Sequence, residues 1–134
     1  MEPGRWELIE AELRNARDRL KAARALIDAG LTPDAISRAY YAAFHAAKAA
    51  LALHGLHAES HVGLPTLFGL HLVEKHIVDR RLGKILVELS ERRESADYDV
   101  WTGMDIEDAL KSAQDAVEFI EAIERMVETA RTSR

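Results

Sequence analysis

The sequence predicts an all-α fold, an up-and-down bundle of four long helices and one short helix. Apolar residues recur at steps of three and four through most of the chain, as the buried stripe of an amphipathic helix requires. The alternation of apolar and polar residues that marks a half-buried strand does not occur. We therefore expect helices alone, packed side by side.

The first predicted helix covers residues 6–29. Acidic and basic side chains between its apolar positions leave the opposite face to solvent. Gly30 is expected to end the helix, because glycine readily adopts the left-handed conformation that follows a last turn. The buried stripe is predicted to consist of Leu13, Ala16, Leu20, Ala23 and Ile27.

The second predicted helix runs to about His54 and is the most unusual segment of the chain. Thr32 is a candidate N-cap, and Pro33 suits the first helical position. Half of residues 35–52 are alanine, and few of them are charged. A helix with so little charged circumference is expected to be contacted on several sides, at the centre of the bundle or at a subunit interface.

A short third helix is predicted after a polar loop, with Ser60 as its candidate cap. Residues 79–81 form a predicted turn, and the fourth helix continues from there to at least Glu94. The third helix is expected to bury Leu67, Leu70, Val73 and Ile77. The fourth is expected to bury Leu82, Ile85, Leu86 and Leu89.

The last helix is predicted to begin after a break at residues 99–105, with Asp105 as its N-cap. Its apolar register consists of Ile106, Leu110, Ala113, Val117, Ile120 and Ile123. Length allows one domain over residues 1–134, with residues 1–5 and 129–134 expected to fray.

Composition limits the functions that this chain can have. The chain contains no cysteine, which excludes thiol nucleophiles and cysteine-ligated metals. Its 18 Lys and Arg residues against 23 Asp and Glu residues give a net charge of −5, which argues against a broad basic surface for nucleic acid but leaves room for a local phosphate site. The sequence shows no secretory signal and no apolar run of spanning length, so we expect a soluble, cytoplasmic protein without membrane contact.

Three segments, in order, resemble the HEPN superfamily and, within it, the small stand-alone proteins of the UPF0332 type. These are the run AISRAYYAAFHAAK at 35–48, ESHVG at 59–63 and RESADY at 93–98. The resemblance implies a helical bundle that is commonly a homodimer. It also implies a possible partner, since many members are encoded beside a minimal nucleotidyltransferase as the toxin of a toxin–antitoxin pair. Active members are metal-independent ribonucleases that carry Arg, four to six residues and then His, together with a polar residue on the second helix.

The chain departs from this motif at its histidine. Arg93 is followed by four residues and then by Tyr98, and the literal match to the pattern is Arg38 to His45 on the second helix. The candidate catalytic residues are therefore Arg93, Tyr98, Arg38 and His45. The candidate RNA-binding or nucleotide-binding residues are Arg93, Asp97, Tyr98, Arg38 and Tyr41.

Each candidate has a chemical role and an ordinary alternative. In cleavage by the ribose 2′-hydroxyl, His45 would move the proton and Arg38 would hold the phosphate. Otherwise His45 is a hydrogen-bonded core residue and Arg38 pairs with an acid of a neighbouring helix. Arg93 and Asp97 have the i,i+4 spacing of a helical ion pair, which is usually structural. The resemblance implies that Tyr98 could accept a modifying group from a partner nucleotidyltransferase.

The expected function is that of the toxin-like half of a HEPN and nucleotidyltransferase pair, which binds RNA or nucleotide and could be a metal-independent endoribonuclease. The alternative is a non-catalytic helical module for dimerisation or partner binding. No cofactor and no metal are expected, because His54, His57 and His61 surround a glycine break and read as polar loop residues.

Overall fold

A computed structural model describes residues 3–58, 60, 63–98 and 103–133, without the side chain of Tyr98. All regular structure in these ranges is helical, which confirms the predicted all-α bundle of four long helices and one short helix. A π-helical turn, Gly69–Val73, directly extends the short helix. The helices are α1 (Arg5–Asp28), α2 (Thr32–Leu53), α3 (Leu64–Phe68), α4 (Arg80–Tyr98) and α5 (Ile106–Thr132).

Helix α2 lies at the centre of the bundle, as its composition predicted. It packs against α1, α3, α4 and α5. Most of its alanines are completely buried, since the small side chain lets neighbouring backbones approach closely. Helix α5 packs on α1 and α4 as well as on α2.

The buried face of α1 agrees with the predicted stripe in Ala16, Leu20 and Ala23. Leu13 and Ile27 are only partly buried and lie at the edge of the core. The stripe extends further toward the N-terminus than predicted, through Ile9 and the acidic residue Glu12. An acid thus occupies a core position of α1.

The predicted face of the third helix is only partly confirmed. Leu67 and Val73 pack against the core and are partly buried, but Leu70 and Ile77 are exposed. The fully buried residues are spaced by four: Leu64, Phe68 and Leu72. Leu64 and Phe68 lie about one α-helical turn apart, and the π-helical turn that follows, in which Glu74 N donates to Gly69 O at 2.9 Å, keeps Leu72 on the same side. A turn closed by i→i+5 bonds holds more residues than an α-helical turn and therefore keeps residues four apart on one side.

The helix starts test three of the predicted caps. Asp105 accepts a hydrogen bond from Asp108 N at 3.2 Å while the Asp108 carboxylate accepts one from Asp105 N at 2.9 Å, which confirms the α5 cap as a reciprocal capping box. Thr32 is already helical and its side chain makes no cap, so that prediction is wrong. The Ser60 hydroxyl accepts from Gly63 N at 3.2 Å, just before α3.

Helix α5 differs from its predicted register at its first turns. Ile120 and Ile123 are buried as expected, but Ile106 and Leu110 are exposed. The inward face there is built instead from small residues that fit against α2: Ala109, Ser112 and Ala116.

The C-terminal segment that was expected to fray is helical as far as Thr132. Arg131 Nη1 donates to Glu10 Oε1 at 2.7 Å, and its guanidinium lies 5.0 Å from the centre of a Trp6 ring. These contacts tie the last turns of α5 to α1. None of the helices described is long and apolar enough to cross a bilayer. The predicted break at residues 99–105 falls largely outside the described residues.

Candidate functional site

One face of α2 is left partly open between α1 and α4, and we call it the α2 strip. Arg38 is exposed on this strip, and the other members are half-buried. Their spacing of three and four residues places them on one side of the helix. The α2 strip consists of Arg38, Tyr41, Phe44, His45 and Lys48.

Helix α4 brings Arg93 to the edge of the α2 strip. Its guanidinium carbon lies 5.3 Å from the centre of the Tyr40 ring and 5.6 Å from that of Tyr41, within the range of cation–π attraction. Nη1 donates to Asp97 Oδ2 at 2.7 Å, so the expected i,i+4 pair is present. The buried Nε atom has no hydrogen-bond partner within the described part of the chain, although 11% of the side chain is exposed.

Aromatic rings continue from Arg93 along the α2 strip. The Tyr41 and Phe44 rings meet edge to face at 5.7 Å between centroids, and Phe44 and His45 do so at 5.3 Å. Lys48 Nζ lies 5.5 Å from the centre of the Phe44 ring. Cations and ring faces therefore alternate along this surface, which is the combination that proteins use to bind single-stranded nucleic acid.

The Tyr40 ring packs against the Arg93 guanidinium and is completely buried. Burial raises the pKa of Tyr40 to about 12, even though the charge of Arg93 and a hydrogen bond with Ser90 act to lower it. Its phenol is therefore protonated at neutral pH and serves as a ring face for the guanidinium.

Helix α1 places Glu12 against His45. Nδ1 of His45 lies 2.9 Å from Glu12 Oε1, and Lys48 Nζ lies 3.0 Å from Oε2 of the same carboxylate. Only 7% of the Glu12 side chain is exposed. Burial acts to raise the pKa of Glu12, but the hydrogen bonds and charges of His45 and Lys48 outweigh it and the pKa is lowered. Glu12 is therefore ionised at neutral pH.

The two residues of the literal motif match have different surroundings. His45 is hydrogen-bonded within the bundle, as expected if its role is structural. Arg38 forms no ion pair with an acid among the described residues, so the structural pairing expected for it is not seen there. His45 follows Arg38 by seven positions, which is about 10 Å along the helix axis. They share a face of α2 without meeting, so one extended ligand would have to span two helical turns to contact both.

The remaining candidates are placed as follows. Asp97 faces Arg93 with its side chain 32% exposed. Tyr98 is the last residue of α4, and its side chain lies outside the described part of the chain. His54 and His57 lie after α2 in the loop, while His61 is not among the described residues. Within the described ranges no three His, Asp or Glu side chains converge as a metal site would require.

Sequence reasoning missed Glu12, which contacts two residues of the α2 strip. The signal was present, because Glu12 follows Ile9 by three residues and precedes Ala16 by four, in the register of the buried stripe. An acid at a core position needs a partner of opposite charge. The partner itself is 33 residues away in sequence, so spacing could not identify it.

Comparisons with known proteins agree with this architecture. The model of the HEPN domain matches residues 9–129. The chain belongs to the HEPN family. A UPF0332 protein of Thermotoga maritima is 30% identical to this HEPN chain over 91% of the chain and 92% of the relative. A Methanocaldococcus jannaschii protein that bears the name "Putative toxin" is 38% identical over 69% of each chain.

The fold of this HEPN protein also occurs in a solved structure. The crystal structure of a Thermus thermophilus protein superposes with a TM-score of 0.73, covering 88% of this chain and 97% of the other. The two sequences are 20% identical, so this match supports the helical architecture alone.

Proposed function

We propose that this HEPN protein is the toxin-like member of a toxin–antitoxin pair and that it binds RNA or nucleotide along the α2 strip and Arg93. The observation that carries the proposal is the Arg93 guanidinium, which lies against two tyrosine rings with its Nε atom unpartnered. The "Putative toxin" name of a relative supports the toxin-like role.

A phosphate can take the place of Asp97 on Arg93. The Asp97 side chain is 32% exposed and lies on the same helix, so it can rotate into water when a stronger ligand arrives. The guanidinium offers a fork of donors that matches phosphate oxygens. Tyr41 and Phe44 would then provide ring faces for bases beside that phosphate.

The acidic net charge is compatible with a site of this size. A net charge of −5 opposes the long-range attraction of RNA, so affinity must come from contacts at short range. Three residues of the α2 strip are basic or can become so, and Arg93 adds a fourth cation. Binding should therefore be modest and strongly dependent on salt.

Binding of a fluorescent single-stranded RNA, followed by anisotropy at low salt, tests the proposal. Arg93→Ala should weaken binding at least about tenfold, since hydrogen bonds to charged groups contribute roughly 1.5–3 kcal/mol. Arg17→Ala is the matched control, because it removes the same charge from an exposed pair with Glu124 that joins α1 to α5. Equal affinities for wild type and Arg93→Ala would overturn the proposal.

Cleavage is tested separately, with total RNA and tRNA incubated in EDTA. Loss of wild-type cleavage in Arg93→Ala or His45→Ala would support a metal-independent endoribonuclease. RNA that stays intact in every sample would limit the protein to binding.

A nucleotidyltransferase partner can be tested by co-expression. If Tyr98 accepts a nucleotide, the intact mass of the chain should rise by that group in the presence of the partner, and Tyr98→Phe should abolish the increase. An unchanged wild-type mass would exclude this modification by the partner tested.

A second candidate function is a non-catalytic dimerisation or partner-binding module. Exposed apolar side chains at one end of the bundle favour it, namely Leu31, Ile106 and Leu110. A groove between α1 and α5 joins Leu110 to Ile27 and Val117. This function predicts a dimer in light scattering that Leu110→Glu dissociates, with no affinity for RNA at low salt.

A further inference from the structure

The contact between α1 and α2 places a carboxylate directly behind an imidazole. Glu12 Oε1 lies 2.9 Å from His45 Nδ1, while the other carboxylate oxygen is held by Lys48 at 3.0 Å. Both oxygens are therefore fixed. The side chain of Glu12 is almost completely covered, and 16% of the His45 side chain remains exposed.

This contact determines which ring nitrogen carries the proton. An ionised carboxylate can only accept hydrogen bonds, so Nδ1 of His45 must be the donor. In the neutral ring, Nε2 then holds the free electron pair. A carboxylate that fixes the tautomer and orientation of a histidine in this way is the arrangement found behind many general bases.

The histidine also lies on the surface to which we propose that RNA binds. His45 follows Tyr41 by one helical turn on the α2 strip, and the Tyr41 ring contacts the Arg93 guanidinium. The edge of the Phe44 ring joins the two, at 5.7 Å from Tyr41 and 5.3 Å from His45. The imidazole and the proposed phosphate ligand thus share one continuous surface.

We propose that Glu12 is a positioning residue that orients His45 as the base of RNA cleavage. In this proposal the Glu12–His45 pair replaces the histidine of the family motif, at whose position this chain has Tyr98. The inference rests on the proposed function, because it requires RNA on the α2 strip. Its substrate is a single-stranded RNA with a free 2′-hydroxyl beside the scissile phosphate.

The proposed cleavage begins with attack of the ribose 2′-hydroxyl on the neighbouring phosphate. Nε2 of His45 takes the proton of the 2′-hydroxyl, and the 2′-oxygen forms a bond to phosphorus. The bond from phosphorus to the 5′-oxygen breaks, and that oxygen takes a proton from water. The products are a 2′,3′-cyclic phosphate and a 5′-hydroxyl, and the imidazolium returns its proton to water. No metal or oxidant is needed.

The tautomer can be measured without RNA. Long-range ¹H–¹⁵N correlation spectra of uniformly ¹⁵N-labelled wild type should show His45 protonated at Nδ1 near neutral pH. His45→Ala assigns the signal. A wild-type His45 whose neutral ring carries its proton on Nε2, and not on Nδ1, would overturn the inference, whatever the activity.

Cleavage kinetics in EDTA distinguish a positioning role from a structural one. Glu12→Gln should lower kcat at least about tenfold with KM changed less than about twofold, since general-base effects are typically 10²-fold or more. Glu124→Gln, the same change in the exposed pair with Arg17, is the control and should keep the wild-type kcat. Melting curves confirm that both variants are folded. An unchanged kcat in Glu12→Gln would overturn the inference.

The outcomes separate this inference from the function on which it rests. RNA that binds through Arg93 but is never cleaved would overturn the Glu12–His45 pair as a catalytic unit and leave phosphate binding intact. If RNA does not bind, or binds equally well without Arg93, both the inference and the proposed function are overturned.

Discussion

Arg92 and Arg93 are neighbours in α4 and have opposite surroundings. Arg92 Nη2 donates to Asp115 Oδ2 at 3.0 Å and its Nη1 donates to Ser112 Oγ at 3.3 Å, both on α5. Lys111 Nζ approaches the other oxygen of Asp115 at 2.7 Å. Among the described residues Arg93 instead has one hydrogen bond, within its own helix, and it lies against tyrosine rings.

The difference follows from helix geometry. Successive residues point about 100° apart, so Arg92 faces α5 while Arg93 faces α2. Asp115 is almost completely buried and already shared by two cations, which is typical of a structural ion pair. Among the described residues the buried Nε atom of Arg93 has no partner, which is unusual in a purely structural contact. The comparison supports a structural role for Arg92 and agrees with the binding role that we propose for Arg93.

The largest expected effect is on the stability that the Arg92–Asp115 pair provides. Asp115→Ala should lower the free energy of unfolding by about 3 kcal/mol, because breaking a buried pair leaves Arg92 uncompensated beside the core. Urea denaturation at pH 7 measures it. RNA affinity of the folded variant should stay close to that of wild type. A stability loss below about 1 kcal/mol would remove the distinction between the two arginines.

The second effect is on binding. Arg93→Lys should bind RNA with an affinity between those of wild type and Arg93→Ala, since an ammonium keeps the charge but loses the planar fork and the stacking on Tyr41. Anisotropy titrations at one salt concentration compare the three proteins. Full wild-type affinity in Arg93→Lys would mean that charge alone matters and would contradict the geometric argument.

A smaller effect is expected when the competitor of the phosphate is removed. Asp97→Asn should tighten RNA binding a few-fold, equivalent to less than about 1 kcal/mol, because a neutral amide competes less for the guanidinium. Glu124→Gln, which removes an acid elsewhere, is the control. Weaker binding by Asp97→Asn would show that Asp97 positions Arg93 and does not compete for it.

The smallest expected effect is the loss, at acidic pH, of the stability that Glu12 contributes. Glu12, like Asp115, is a buried carboxylate between two basic groups, but one of its partners is histidine. Its pKa is below the ordinary 4.5 in the folded chain, so its contribution to stability is present above pH 4.5 and is lost as pH falls through the folded value. The stability difference between wild type and Glu12→Gln should therefore shrink between pH 5 and pH 3. A constant difference would contradict the lowered pKa.

Much of the fold could be predicted from local patterns. The alanine-rich composition of α2 predicted its central place, and the fourth helix buries the predicted Leu82, Ile85, Leu86 and Leu89. The π-helical turn could not be predicted, because a period of 3.6 residues does not describe it. The prediction that Ile106 and Leu110 are buried was wrong for another reason. Close packing on α2 favours small residues, so alanine occupies the inward positions.

The candidate site shows the same limit more clearly. The Arg93–Asp97 pair follows from an i,i+4 spacing, which sequence displays directly. The contacts of Arg93 with Tyr40 and of Glu12 with His45 join different helices and depend on how these pack. Sequence could place each residue on a helix face, but only the packing of α1 and α4 against α2 selects the partners.

The salt dependence of RNA affinity tests the central claim most directly. The logarithm of the association constant is plotted against the logarithm of salt concentration for wild type, Arg93→Ala and Arg17→Ala. If Arg93 holds a phosphate, its loss should reduce the steepness of the plot by about 0.7, the contribution of one contact to a single strand, while Arg17→Ala keeps the wild-type slope. Identical slopes in all three proteins would contradict a phosphate at Arg93.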